Sequence, residues 1–288
     1  MSNIGFLTIA QNNRNTDYLK LAYLQAMNIK LLHPEYQYAV IVDKNTLNQL
    51  TSRMQKVFDH VINLPIDYAE NDELKYANEV NVFRLTPFKE TFKVESDLLF
   101  TRPVNNWISA LRLKSIVLSY GCKNYKNMLS NNLNYRQIFV NNNLPNVYNG
   151  LMYFRKTVEA EKFFLLAEKI LINWTIIKDQ LIGCTEDKPS TDVLYALTAK
   201  IFKLENCTMP SLDFFNFIHM PIDTMDWGKD KEGWTNKMSH EKDNFMIRIG
   251  NLNQYYPVHY QDKKFCDDNI IEWYEEKYEQ LGRINKSL

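Results

Sequence analysis

The segment FKETFKVESDLLF, residues 88–100, reads as one strand that is apolar up to two acids, Glu95 and Asp97, and apolar again beyond them. Residues i and i+2 of a strand share a face, so the spacing predicts two carboxylates side by side at the end of a buried strand. Two acids that close repel each other and lose hydration, so a compensating positive charge is required. A magnesium or manganese ion prefers oxygen ligands and often bridges carboxylates to substrate phosphates, which gives the pair a purpose. The same two acids in a solvated loop have no function, and the spacing alone leaves both readings open.

The sequence before this segment alternates strand and helix. Residues 4–12, IGFLTIAQN, form an apolar strand running into a polar turn. In 16–32, TDYLKLAYLQAMNIKLL, Leu19, Ala22, Tyr23 and Ala26 recur at helical spacing, with Thr16 or Asp17 as cap and His33-Pro34 as stop. YQYAVIVD (36–43) is a second strand, TLNQLTSRMQKVF (46–58) a second helix and HVINLP (60–65) a third strand. Residues 72–88, DELKYANEVNVFRLTPF, read as helix up to Pro87. A β-α-β-α-β opening predicts a parallel sheet with helices on its faces. Ligands in such sheets bind beyond the carboxyl ends of the strands, where Asn12, Asp43, Glu95 and Asp97 fall.

The second half is less regular. Strands are expected in 114–121, 147–156 and 244–250, helices in 157–181, 190–202 and 267–288, and an Asn-rich, loop-like stretch in 126–146. The expected architecture is a single domain over 1–288: a regular β/α half (1–100), an irregular half (101–265) and a C-terminal helix (266–288). The polar stretch 226–237, with Trp227 and Trp234, reads as a loop pinned to the body by its tryptophans, or as a lid.

Composition narrows the chemistry. The chain has 288 residues, and its 34 Lys+Arg balance 34 Asp+Glu, so it is not a generic polyanion binder. It has only eight glycines, none in a G-x-G or G-x-x-x-x-G-K pattern, which excludes the dinucleotide fingerprint and the P-loop. If the protein binds a nucleotide, its phosphates must be neutralised another way, and a cation on the acid pair would do so. Cys122, Cys184, Cys207 and Cys266 are far apart and make no C-x-x-C, so reduced thiols are expected. No secretory leader and no run of eighteen apolar residues is seen, which predicts a cytoplasmic protein without a membrane span. The enrichment in Asn, Tyr, Lys and Ile is that of an AT-rich coding genome, a phage genome among them, which would place the protein in an infected host's cytoplasm.

Residues 85–100, LTPFKETFKVESDLLF, resemble the segment of GT-A-type glycosyltransferases in which a TPF or TPY lead, an apolar strand and a D-x-D motif occur together. Here the motif is Glu95-Ser96-Asp97, with Glu in the first position. Its extra methylene moves that carboxylate, and Asp97 matches the family's metal-ligating residue. Three later segments agree in order with family 8-like members. YNGLMYFRK (148–156) resembles the N-x-G strand of the sugar and acceptor region, STDVLYAL (190–197) the segment opening a helix near the reacting sugar, and VHYQDKK (258–264) the C-terminal His that completes the metal shell, followed by a diphosphate-binding Lys. The family's glycine and K-P-W after that His are missing, so the Lys is Lys263 or Lys264. Taken alone, His259 also reads as a packed core histidine, and Asp192 as an acid favoured by a helix N-terminus.

The resemblance covers about residues 4–265 and implies that 1–100 is the nucleotide-binding half and 101–265 the acceptor and sugar half. It implies a mainly parallel, mixed GT-A (Rossmann-like) sheet flanked by helices and a metal-dependent transfer from a nucleotide diphosphate sugar, a UDP-sugar, with retention. Glu95, Asp97 and His259 hold the metal. Ile9, Ala10, Asn12, Asp43, Glu95, Ser96 and Lys263 or Lys264 bind the nucleotide sugar; Asp192, Asn149 and Gly150 serve the sugar and acceptor. The acceptor stays open among a glycan, a protein and a modified DNA base. Two other readings remain. One is a nucleotidyltransferase or pyrophosphorylase, whose glycine-rich loop after the first strand is here the glycine-free AQNNRNTD. The other is a GT-A-fold binding protein without chemistry. His33, His60, His219 and His240 receive no role.

Overall fold

The computed structural model describes residues 4–286 except 71, 73–74, 130–135, 212, 220–237, 242–244 and 261. The tryptophan-containing stretch 226–237 lies outside the described residues.

Strand β1 (Ile4–Ala10) leads through helix α1 (Tyr18–Leu32) to β2 (Gln37–Val42). Asp17 caps α1 by accepting from the Lys20 N–H, and the helix stops at His33 before Pro34. The helix expected over 46–58 is two short ones, α2 (Lys44–Leu47) and α3 (Ser52–Val57), because two capping residues compete for the chain: Asp43 accepts from Thr46 and Thr51 from Met54. Strand β3 (His60–Asn63) follows. The helix expected up to Pro87 is a 3₁₀ turn (Tyr76–Asn81) and the single turn α4 (Val82–Leu85). Asn78, Val80, Asn81 and Val82 are weak helix formers that give a longer helix little support.

The segment 88–100 is not one strand. Strand β4 (Glu90–Val94) ends before the acids, and β5 (Leu98–Leu99) belongs to a different sheet, so Glu95 and Asp97 occupy the turn between two sheets. The turn closes through the Leu98 N–H donating to the Glu95 carbonyl at 3.1 Å. Helix α5 (Ile108–Leu111), β6 (Ile116–Tyr120), α6 (Gln137–Asn141) and β7 (Val147–Arg155) come next. The long helix expected over 157–181 breaks at Asn173 into α7 (Val158–Ile172) and α8 (Trp174–Lys178). Then come α9 (Thr191–Phe202), α10 (Leu204–Cys207), the short strands β8 (Ile218–His219), β9 (Met238–Glu241), β10 (Met246–Ile249), β11 (Leu252–Gln254) and β12 (Val258–His259), and α11 (Asp268–Lys286).

The main sheet has the order β3-β2-β1-β4-β7-β6. Pairs β1–β2, β2–β3 and β1–β4 are parallel, and β7 runs antiparallel to β4 and β6. The chain winds one way from β1 to β3 and returns on the other side of β1 to make β4. The gap beyond the carboxyl ends of β1 and β4 is therefore a topological switch point, where doubly wound sheets bind ligands. Alternating side chains of each strand fill two cores. Phe6, Tyr38, Phe92 and Tyr153 pack in the same core as α1 and α11 residues such as Leu24 and Tyr274, while Leu7, Ile41, Met152 and Phe154 pack with Phe163 of α7 and Tyr195 of α9. Helix α11 thus lies on the first half of the chain, joined to α1 by Tyr23–Glu275 and Asn28–Tyr274 hydrogen bonds. Among the described residues, no helix is long and apolar enough to cross a membrane.

Candidate active site

The turn 95–97 is held from three sides. Buried Gln25 of α1 donates to the carbonyls of Glu95 and Leu98, and the Tyr38 hydroxyl orients that amide by donating to its oxygen at 2.8 Å. The Glu95 N–H donates to the Gly150 carbonyl, and the Tyr260 N–H to the Asp97 carbonyl, each at 3.1 Å. Pairing of β12 with β5 sets His259 opposite Leu98, which brings the distant imidazole to the acids.

His259 Nε2 lies 3.0 Å from Asp97 Oδ2 and 3.4 Å from Glu95 Oε2. One ligating atom from each of Glu95, Asp97 and His259 falls within 4.8 Å of the others. Two carboxylates and an imidazole on one side of a cavity fit a magnesium- or manganese-like cation. The Lys263 ammonium also pairs with Asp97 Oδ2. On the far side of His259, its Nδ1 lies 2.8 Å from Nδ1 of His219, with the rings stacked at 15°. A second group that fixes ring orientation is what a ligating histidine usually has.

The charges respond to this crowding. Burial would raise Asp97, but His259 and Lys263 more than reverse it and hold its carboxyl well below the usual carboxylate range. Burial raises Glu95, only partly offset by His259 and Lys93. Burial would lower His259, and Asp97 and Glu95 outweigh it to raise its pKa. His219 is pushed well down by burial and by the positive charge of His259, so it is neutral and able to accept the Nδ1–H of its neighbour. The positive charge that the acid pair demands is thus partly built in.

The cavity at this point has a volume of about 310 Å³. Ile9, Glu95, Ser96, Asp97, His259 and Lys263, all named from the sequence, line it together with Gln11, Asn13, Tyr18, Lys75, Glu79 and Thr191. Ala10, Asn12, Asp43 and Lys264 do not. Ala10 is fully buried, and Lys264 is exposed. Asn12 organises its own loop, bonding Asp17, Gln49 and the Leu19 N–H. Asp43 is turned inward, capping α2 and accepting from Gln11 at 2.9 Å. Asn149 donates to Glu95 Oε1 at 3.2 Å. Asp192 accepts from the Asn149 N–H at 2.8 Å and from Arg136 at 3.0 Å, so it is tied to β7 behind the cavity while its neighbour Thr191 lines it. Gly150 has a packing reason: a Cβ there would lie 2.8 Å from the Phe217 ring.

Sequence reasoning missed Gln11, Asn13, Tyr18, Lys75, Glu79, Thr191 and His219. Gln11 and Thr191 each adjoin a residue that was chosen, and strand and helix geometry decides which neighbour faces the cavity. Nothing local marks His219, since its partner arrives only through the parallel pairing of β8 with β12.

No protein-family model matches the chain, and no curated protein matches it in sequence. Solved structures do match in fold. The chain superimposes on the galactosyltransferase LgtC, in complex with donor and acceptor sugar analogues, over 96% of its own length and 94% of LgtC, with a TM-score of 0.53 and 12% identity. It also matches the glycosyltransferase GlyE of Streptococcus pneumoniae TIGR4 over 95% of this chain and 60% of that one, with a TM-score of 0.52 and 11% identity. The fold is that of GT-A glycosyltransferases. Its mainly parallel sheet, flanked by helices, is the architecture expected from residues 85–100 and the β/α alternation before them.

Proposed function

We propose that the protein is a family 8-like, metal-dependent glycosyltransferase that moves a sugar from a nucleotide diphosphate sugar, a UDP-sugar, to an acceptor hydroxyl with retention at the anomeric carbon. One observation carries this reading: Glu95, Asp97 and His259 converge in a single cavity at the switch point of a GT-A fold. These three residues would hold a manganese or magnesium ion. When bound, the ion supplies Lewis-acid stabilisation of the charge that builds on the departing nucleoside diphosphate.

The chain's own groups do the rest. Lys263 adds a second positive charge for the diphosphate. Ile9, Gln11 and Asn13, beyond the end of β1, take the base and ribose. Ser96 and Asn149 flank the sugar. Asp192, accepting from the Asn149 N–H and from Arg136, holds β7 in place beside the sugar. His219 holds His259 with Nδ1–H directed to itself, which leaves Nε2 facing the carboxylates. The acceptor is a hydroxyl of a glycan, a protein or a modified DNA base. The test is hydrolysis of a panel of sugar nucleotides with and without manganese by wild type and Asp97→Asn. Metal-dependent turnover lost in the variant supports the reading; turnover unaffected by the substitution rejects it.

A further inference from the structure

Lys93 is a fully buried lysine in the central strand β4, between β1 and β7. Its register partners are Leu7 on β1 and Met152 on β7, both apolar. An ammonium in such a place costs several kcal/mol unless it is paired, and an apolar residue of similar size is usually no less stable there. Its partner is Glu79: Lys93 Nζ lies 2.7 Å from Glu79 Oε2, and 3.4 Å from the Asn149 carbonyl. Glu79 is mostly buried but lines the cavity that Glu95 and Asp97 also line. Its backbone is fixed as well, because the buried Tyr195 hydroxyl of α9 donates to the Glu79 carbonyl at 3.1 Å. The ion pair therefore holds the Glu79 carboxylate at the cavity wall. That carboxylate lies outside the Glu95–Asp97–His259 cluster, so a cation on the cluster does not claim it.

We infer that Glu79 is a specificity-determining residue for the donor sugar, and that it selects neutral polyhydroxylated sugars over uronic acids. This rests on the glycosyltransferase reading above. A carboxylate accepts hydroxyl hydrogens from a sugar and needs no rearrangement to do so. A sugar carboxylate brought to the same place meets a like charge in a partly desolvated site. Among the described residues, the lysines that line the cavity are anchored elsewhere: the Lys75 ammonium on the carbonyls of Ala69 and Glu70, and Lys263 on Asp97.

The test is calorimetric titration of the full chain, in manganese, with UDP, with UDP-glucose and UDP-glucuronate, and with UDP-galactose and UDP-galacturonate. In wild type the neutral member of at least one pair binds at least about tenfold tighter than its uronate. In Glu79→Gln that ratio falls toward one. Because Glu79→Gln leaves Lys93 buried without its counter-charge, the double variant Glu79→Gln/Lys93→Met, checked for folding by circular dichroism, is measured alongside and gives the same collapse. A wild type that binds uronates as well as or better than neutral sugars, or a ratio unmoved in both variants, overturns the inference. If UDP itself binds wild type with no dependence on manganese, the glycosyltransferase reading falls and takes this inference with it. Intact coupling with an unmoved ratio removes this inference alone.

Discussion

Lowering the pH should destabilise the protein through one buried histidine. His33 ends α1 and is fully buried between Phe6, Tyr36 and Phe100. Its Nδ1–H donates to the Ile29 carbonyl at 3.2 Å, and its Nε2 accepts from the Val104 N–H at 2.9 Å. Only the neutral ring satisfies both contacts, because a second ring proton would point at the Val104 N–H. Burial accordingly depresses its pKa from 6.5 to about 4. The unfolded chain, with the ordinary value, takes up the proton first. Stability from His33 is therefore complete above pH 6.5 and is lost as pH falls through the window toward 4. The linkage gives a loss of about 2.5 kcal/mol by pH 4.5. Urea unfolding at pH 7.5 and pH 4.5 reads the loss, and His33→Gln, which keeps a donor and an acceptor without titrating in this range, separates it from the carboxylates. Wild type should lose about 2.5 kcal/mol more than the variant over that interval. Equal losses in the two proteins would show that the ring is not held neutral.

Other expectations follow from the site. His219→Phe removes the acceptor for His259 Nδ1–H and should weaken manganese affinity by about 10–100-fold, read by calorimetry, while His219→Asn restores part of it. Gly150→Ala drives a methyl into the Phe217 ring, which touches both His219 and His259; unfolding should show a loss of about 1–3 kcal/mol. Lys93→Met alone leaves Glu79 partly buried without its partner and should cost about 3–5 kcal/mol, whereas the double variant with Glu79→Gln recovers most of it.

Much of the fold was legible because its signals are local. The apolar runs of β1 and β2, the Asp17 and Ser190 caps and the α9 periodicity need no tertiary context to be read. The split of 88–100 was not legible, because Leu98 and Leu99 are as apolar as β4 and only their partner, β12, reveals the change of sheet. In the candidate site, Glu95, Asp97, His259 and a lysine at 263 or 264 could be named from the order of the family's motifs along the chain. Asn12 and Asp43 were also named, as polar residues at strand ends, but the same positions serve equally for closing a turn and capping a helix, and that is how the structure uses them. Glu79 and Lys93 were passed over because each looks ordinary in its own segment; the chemistry lies in their meeting.

In the proposed reaction Asp97, with Glu95 and His259, joins a divalent cation to a nucleotide diphosphate. Calorimetric titration of UDP into the wild type and Asp97→Asn, with and without manganese, addresses it directly. Manganese should tighten UDP binding to the wild type by at least about tenfold and leave the variant's affinity unchanged, the coupling expected of two ligands sharing one site. Manganese that tightens UDP binding equally in both proteins, or in neither, would contradict it.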